Sequence, residues 1–200
     1  MADGKWPTGL TADTPADDAG RRVLAARLAA VRDALPAAVH SSDEDVEHVH
    51  RLRVATRRAA AALHLFADYV PRKVRRETAA ARRGVRRAAG EARDWDVFLV
   101  RLDESAALQE ADARPAADLL TGYALGERDA AQAILTAVAA DRGDDVAELA
   151  DDVPAAVRAK KRLPATLSDL AAVQMNGLFA TFAEEVAAGV HDAEFPVDVF

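Results

Sequence analysis

Apolar residues in this chain recur at three- and four-residue intervals and nowhere alternate, and that pattern confines the chain to helices. Val23, Leu24, Leu28, Val31 and Leu35 keep the interval, and Leu52, Ala55, Ala59, Leu63, Phe66 and Val70 repeat it. A helix turns about 100° per residue, so each set falls on one face. No run alternates apolar with polar residues as a half-buried strand would, and no two-residue hairpin signal occurs. Half of the 200 residues are apolar, yet aromatics make up only 5%. Alanine carries much of the apolar share; it favours helix and lets helices pack closely. The expected fold is all-α, an antiparallel helical bundle of about six helices that presents a basic face or cavity.

Breakers divide the chain. Residues 1–16, rich in Gly, Pro, Thr and Asp, read as a flexible leader without the basic and apolar regions of a secretory signal. A first helix is expected from Asp17 to near Leu35. Ser42 with Asp45 resembles a capping box, and Asp43, Glu44 and Asp45 suit the N-terminus of a second helix reaching Tyr69 or Val70. Pro71 fits the first position of a third helix, which Gly90 ends or kinks, and "EARDWDVFLVRLDESA" makes a fourth piece. A long helix follows from Pro115 to near Asp141, then a short one closed by Pro154, then a last one stopped by Gly189. Residues 17–190 form one helical domain, and 191–200 a tail without helical pattern.

The charge is unevenly spread. The net formal charge is −7, but Val46–Arg101 holds 14 Lys+Arg against 6 Asp+Glu, a balance of +8, leaving 12 against 27 elsewhere, a balance of −15. On a helical projection His50, Arg53 and Arg57 share one arc opposite Leu52, Ala55 and Ala59, and His64 falls in the same arc. The next helix repeats the design: Arg72, Arg75, Arg76, Arg82, Arg83, Arg86 and Arg87 share one broad face, with Val74, Ala81, Val85 and Ala88 opposite. From Arg72 to Arg87 that ridge spans about 22 Å. Like charges three and four residues apart repel, so such a ridge implies an anion. The cations are 13 Arg and one Lys, and the guanidinium fork matches phosphate oxygens. Few aromatics accompany them, whereas single-stranded nucleic-acid sites interleave stacking rings. Trp95 and Tyr69 read as core. Phosphate chains without bases fit this composition better than nucleic acid does.

"VHRLRVATRR" (Val49–Arg58) and "GEARDWDVFLVRL", with its "ARDWDV" at Ala92–Val97, closely resemble the CHAD domain, the conserved histidine α-helical domain. The resemblance is strongest over residues 20–105 and rests on helix pattern alone to about 190. It implies an all-helical fold with a basic cavity that binds inorganic polyphosphate, and association with polyphosphate granules. It puts His50, Arg53, Arg57 and Arg58 on the cavity side with Arg83, Arg86, Arg87 and Arg93, to which the ridge adds Arg76. Asp94 and Asp96 are expected to orient arginines by ion pairing. The family shows two related helical halves. Val190–Asp192 resembles the start of a second histidine motif, but "AEFPVDVF" follows without arginine. The resemblance therefore covers a first half plus connecting helices, and leaves open completion of the cavity by a homodimer, weak binding, or a truncated chain.

Catalysis is not expected. The chain has no cysteine and no Gly-rich phosphate loop with lysine, and no serine–histidine or paired-glutamate arrangement stands out. His50 and His64 lie four turns apart, the wrong spacing for a metal pair. A metal-dependent polyphosphate hydrolase built on Asp94 and Asp96 ranks below binding, because two residues apart on a helix they face different ways. No cofactor and no metal is expected, and no membrane contact. The basic run Arg158–Arg162 is expected to be solvated. A cytoplasmic, non-enzymatic polyphosphate-binding module is the leading expectation, with nucleic-acid backbone binding the second.

Overall fold

A computed structural model describes residues 7–190 and contains five α-helices: α1 (Ala16–His40), α2 (Glu47–Leu65), α3 (Arg72–Asp103), α4 (Arg114–Ala156) and α5 (Leu167–Val190). A short 3₁₀ turn, Ala106–Gln109, links α3 to α4. The second-half motif expected to begin at Val190 lies outside the described residues from His191 onward, as does the whole of the expected tail, 191–200.

The first four helices form an up-and-down bundle. Helix α1 packs on α2 and α4, and α3 packs on the same two from the other side. Short connections make successive neighbours antiparallel. The core takes its bulk from Leu24, Leu28, Val31 and Leu35 of α1, Val49, Leu52 and Leu63 of α2, and Leu135 and Val153 of α4. Helix α3 adds only Ala81, Val85, Ala88, Ala89 and Ala92 as buried apolar residues. Side chains this small put little bulk between α3 and its neighbours.

Five helices replace the expected six or so because two breakers do not break. Helix α3 runs through Gly90, joining the third and fourth expected segments. Glycine costs about 1 kcal/mol in a helix interior. Ala88, Ala89 and Ala92 around it are buried, and their packing holds the helix together. Helix α4 likewise absorbs the short helix expected before Pro154, which lies two residues from its end. Pro36 does not stop α1, because Ala38 beyond it is fully buried. Helix α2, in contrast, ends at Leu65, and the turns that follow carry Phe66, Tyr69 and Val70 into the core. At the start of α2 the capping group is the Asp45 carboxylate, which accepts from Glu47 N–H at 2.9 Å. Ser42 is buried and does not cap the helix.

Residues 8–16 are tied to the start of α5. Ala16 N–H donates to Ala165 O at 2.9 Å, Leu167 N–H to Thr14 O at 2.9 Å, and Ser168 N–H to Ala12 O at 3.0 Å. Arg22 donates to Thr8 O at 3.0 Å. Nearby, Tyr69 is buried and its hydroxyl donates to Pro164 O at 2.7 Å. Lys161 and Arg162 of the basic run are exposed, and Lys160 donates to Asp68 O. Among the described residues no helix is long and apolar enough to cross a membrane.

Gly20 of α1 faces Phe66, and a Cβ built on it would stand 2.9 Å from Phe66 Cδ1. Phe66 is fully buried and has no room to retreat. Gly20→Ala is expected to destabilise the bundle by about 1–3 kcal/mol, read as a lower midpoint in thermal unfolding followed by circular dichroism. An unchanged midpoint would show that Phe66 repacks freely.

Candidate anion-binding groove

Helices α2 and α3 each turn one polar stripe to the same side of the bundle. On α2 the stripe is His50, Arg53, Val54 and Arg57; on α3 it is Arg83, Arg86, Arg87, Gly90, Glu91, Arg93, Asp94 and Val97. Both follow the three- and four-residue step of one helix face. Between them runs an open groove of about 930 Å³. Its cations are six arginines and its acids Glu91 and Asp94. Among the described residues no Phe, Tyr or Trp lines it. Gly90 leaves a bare stretch of wall, since a Cβ there would meet nothing within 4 Å.

Three arginines of the groove hold carboxylates. Arg53 Nη1 donates to Asp94 Oδ1 at 2.8 Å, Arg87 Nε to Glu91 at 3.2 Å, and Arg93 lies 3.6 Å from Glu47. The Arg53 and Arg87 pairs are largely exposed, and exposed pairs contribute roughly 0–1 kcal/mol, so an incoming anion can displace them at little cost. Arg57, Arg83 and Arg86 have no ion pair among the described residues.

A seventh arginine, Arg82, lies just outside the groove. Arg82 is half-buried between α3 and α2 and donates to Thr56 O at 3.3 Å, while its Nε has no partner. Burial first, then Arg86 and Arg83, lower its pKa from the usual guanidinium value. Two of those causes are neighbouring guanidinium groups, so like charges crowd this stretch of α3.

Of the nine residues expected at the site, seven line the groove: His50, Arg53, Arg57, Arg83, Arg86, Arg87 and Arg93. Arg58 does not. One residue past Arg57 is a turn of about 100°, which carries it toward α1. There it is half-buried beside Arg27, whose pKa is lowered first by burial and then by Arg58. Arg76 does not line the groove either. It stands on the α3 stripe two turns before Arg83, exposed, and prolongs the basic row beyond the groove's end. His48 sits off the groove, its Nδ1 3.4 Å from Arg51, and exposed His64 is not part of the lining. Trp95 packs edge-on against Phe98 and Tyr123 on another side of the α3–α4 pair.

The two aspartates hold arginines, as expected from the motif, but on opposite faces of α3. Asp94 faces the groove and pairs with Arg53. Asp96 is only 3% exposed and accepts from Arg128 Nε of α4 at 2.8 Å. Arg128 also donates to Asp43 at 2.7 Å and to Ser42 O at 3.0 Å. One guanidinium thus joins α3, α4 and the α1–α2 turn, just before α2 begins. Its side chain is 12% exposed, and its pKa is raised because the bonds to Asp43 and Asp96 outweigh its burial. The sequence carries no signal for this role, because Arg128 stands in no motif and 14 residues from each of the other two cations of α4, Arg114 and Arg142.

The sequence model of the CHAD domain family matches residues 22–195. No curated protein and no solved structure matches the chain.

Removing Asp96 would leave Arg128 buried with a partner missing, and breaking one side of a buried pair costs about 3–5 kcal/mol. Asp96→Ala is expected to lose stability on that scale in urea unfolding. Asp94→Ala, at an exposed pair, should lose less than about 1 kcal/mol. Equal losses would contradict the separate placements of the two aspartates.

Proposed function

The chain belongs to the CHAD domain family, and on that premise we propose that it binds inorganic polyphosphate in the α2–α3 groove without catalysing a reaction on it. One observation carries the reading: six arginines from two helices face one groove with only two acids among them, and Arg57, Arg83 and Arg86 have no ion pair among the described residues. Guanidinium groups bind phosphate oxygens in bidentate fashion. A linear polyanion gains contacts along the whole α3 stripe, from the groove to Arg76. His50 at the groove wall offers a ring nitrogen to a phosphate oxygen. Asp94 and Glu91 hold Arg53 and Arg87 in place until phosphate replaces them. Association with polyphosphate granules follows directly from such binding.

A wall without Phe, Tyr or Trp weighs against single-stranded nucleic acid, whose sites stack bases on such rings. Duplex backbone binding remains the second reading, since it needs charge alone. A hydrolase built on Asp94 and Asp96 fits poorly. Each carboxylate is engaged by a different arginine, and they lie on different faces of α3.

Titration with polyphosphate of defined length is expected to give submicromolar affinity that falls steeply with salt. Duplex DNA of matched charge should bind more weakly, and equal affinity would favour the second reading. Joint substitution of Arg83, Arg86 and Arg87 by Glu should abolish binding while leaving helicity intact. Arg86→Ala alone should weaken it roughly tenfold, about 1.4 kcal/mol. Arg58→Ala, off the groove, should change affinity less than about twofold. If Arg58→Ala weakens binding as much as Arg86→Ala, the groove is the wrong site. Release of phosphate during incubation with Mg²⁺ would contradict the non-enzymatic reading.

A further inference from the structure

The basic run between α4 and α5 is held against the start of α3. Arg158 N–H donates to Tyr69 O at 3.0 Å, and Lys160 Nζ donates to Asp68 O, 92 residues away in sequence. The Tyr69 hydroxyl donates in turn to Pro164 O at 2.7 Å. Arg72 follows Tyr69 by three residues, at most about 11 Å of chain. Two basic segments distant in sequence are thus brought together. Asp68–Glu77 holds four cations against two acids, and Arg158–Asp169 holds four against one. Most acids of this region are engaged. Glu77 lies 3.9 Å from Lys73, Asp169 accepts from Thr166 N–H at 3.2 Å, and Asp17, which α1 brings near Tyr69, is held by Arg21 at 3.2 Å.

Part of the run has a local role. Arg158 donates to Ala155 O and Val157 O at the end of α4, where helices favour cations, and Lys160 ties down the turn at Asp68. Lys161 and Arg162 do neither. Both are exposed, and neither has an ion pair or side-chain hydrogen bond among the described residues. Arg72 and Arg76 are exposed and without such partners in the same way. Arg72, Arg76, Arg83 and Arg87 fall within an arc of about 60° on α3, and Arg83 and Arg87 line the groove. A line of cations therefore leaves the groove, follows α3 to its first residue and meets the run. Like charges along a helix repel, and no acid among the described residues pairs with Arg72, Arg76, Lys161 or Arg162.

We propose that Lys161 and Arg162, with Arg72 and Arg76, form a second binding site for phosphate, so that a long chain bound in the groove continues along α3 onto the α4–α5 connection. The inference rests on polyphosphate binding in the groove and adds selection for length. Arg87 and Arg72 stand about 22 Å apart along α3, so a short phosphate chain held in the groove does not reach the run. A chain long enough to span both makes its second contact at high effective concentration. Its affinity then exceeds that of the groove alone, and the protein prefers long chains without any further contact in the groove.

The test compares tripolyphosphate, short enough to lie within the groove, with long-chain polyphosphate, both titrated into the full chain. Lys161→Gln combined with Arg162→Gln is expected to weaken long-chain affinity about tenfold. It should also flatten the salt dependence of long-chain binding, since fewer counterions are released. Tripolyphosphate affinity should stay within about twofold. Arg72→Gln combined with Arg76→Gln should act in the same way. Arg114→Gln combined with Arg142→Gln removes as much charge from exposed positions on α4 and should leave both ligands unaffected. Unchanged long-chain affinity in the Lys161 and Arg162 variant would overturn the inference and leave the groove standing. Equal losses for the two ligands would overturn it too, since they report the general field rather than a contact. A wild-type chain that binds neither ligand would instead remove the groove itself, a result distinct from both.

Discussion

The small, alanine-rich face that α3 turns to its neighbours is the constraint on which the rest depends. Ala81, Ala88, Ala89 and Ala92, with Val85, are the apolar side chains that α3 buries. Small side chains shorten the distance between helix axes. That brings the flanking stripe of α3 alongside the stripe of α2, so that arginines on both walls reach the same volume. With leucines at these positions the helices would stand further apart and the two stripes would face solvent separately. The cationic site is thus a consequence of how little is packed behind it.

Gathering that much like charge works against folding. The structure answers in two ways. At the surface, Asp94 and Glu91 lie against Arg53 and Arg87 in exposed, weak pairs that an anion can replace, while Glu47 lies against the less exposed Arg93. Behind the groove the pairing is different in kind. Asp96 and Arg128 are buried, joined to Asp43 and Ser42, and tie together the elements that carry the two walls. The same short motif therefore supplies one carboxylate to a yielding contact and another to a rigid one, separated by two residues and about 200° of helix rotation.

Most of the groove could be read from the linear chain, because a helical stripe is a local property. His50, Arg53 and Arg57 share a face wherever α2 is placed, and Arg83, Arg86 and Arg87 do so on α3. Arg58 shows where that reading stops. The family resemblance put it on the cavity side, and whether a residue one step off the stripe faces ligand or a neighbouring helix depends on where α1 lies. Gly90 shows the same limit for the fold. Its own propensity argues for a break, and buried alanines on both sides, packed by distant residues, outweigh it. Arg128 could not be found at all, since its partners Asp96 and Ser42 are 32 and 86 residues away.

Periodicity, composition and charge distribution along the chain were sufficient for the helical class, the cationic stripes and the family, because each depends on residues within a few turns of one another. How many helices those segments make, which flank of a stripe is buried and which aspartate is structural depend on contacts between residues far apart in sequence. Those contacts are set by the burial of α1, α2, α3 and α4 against one another, an energy that no single segment possesses.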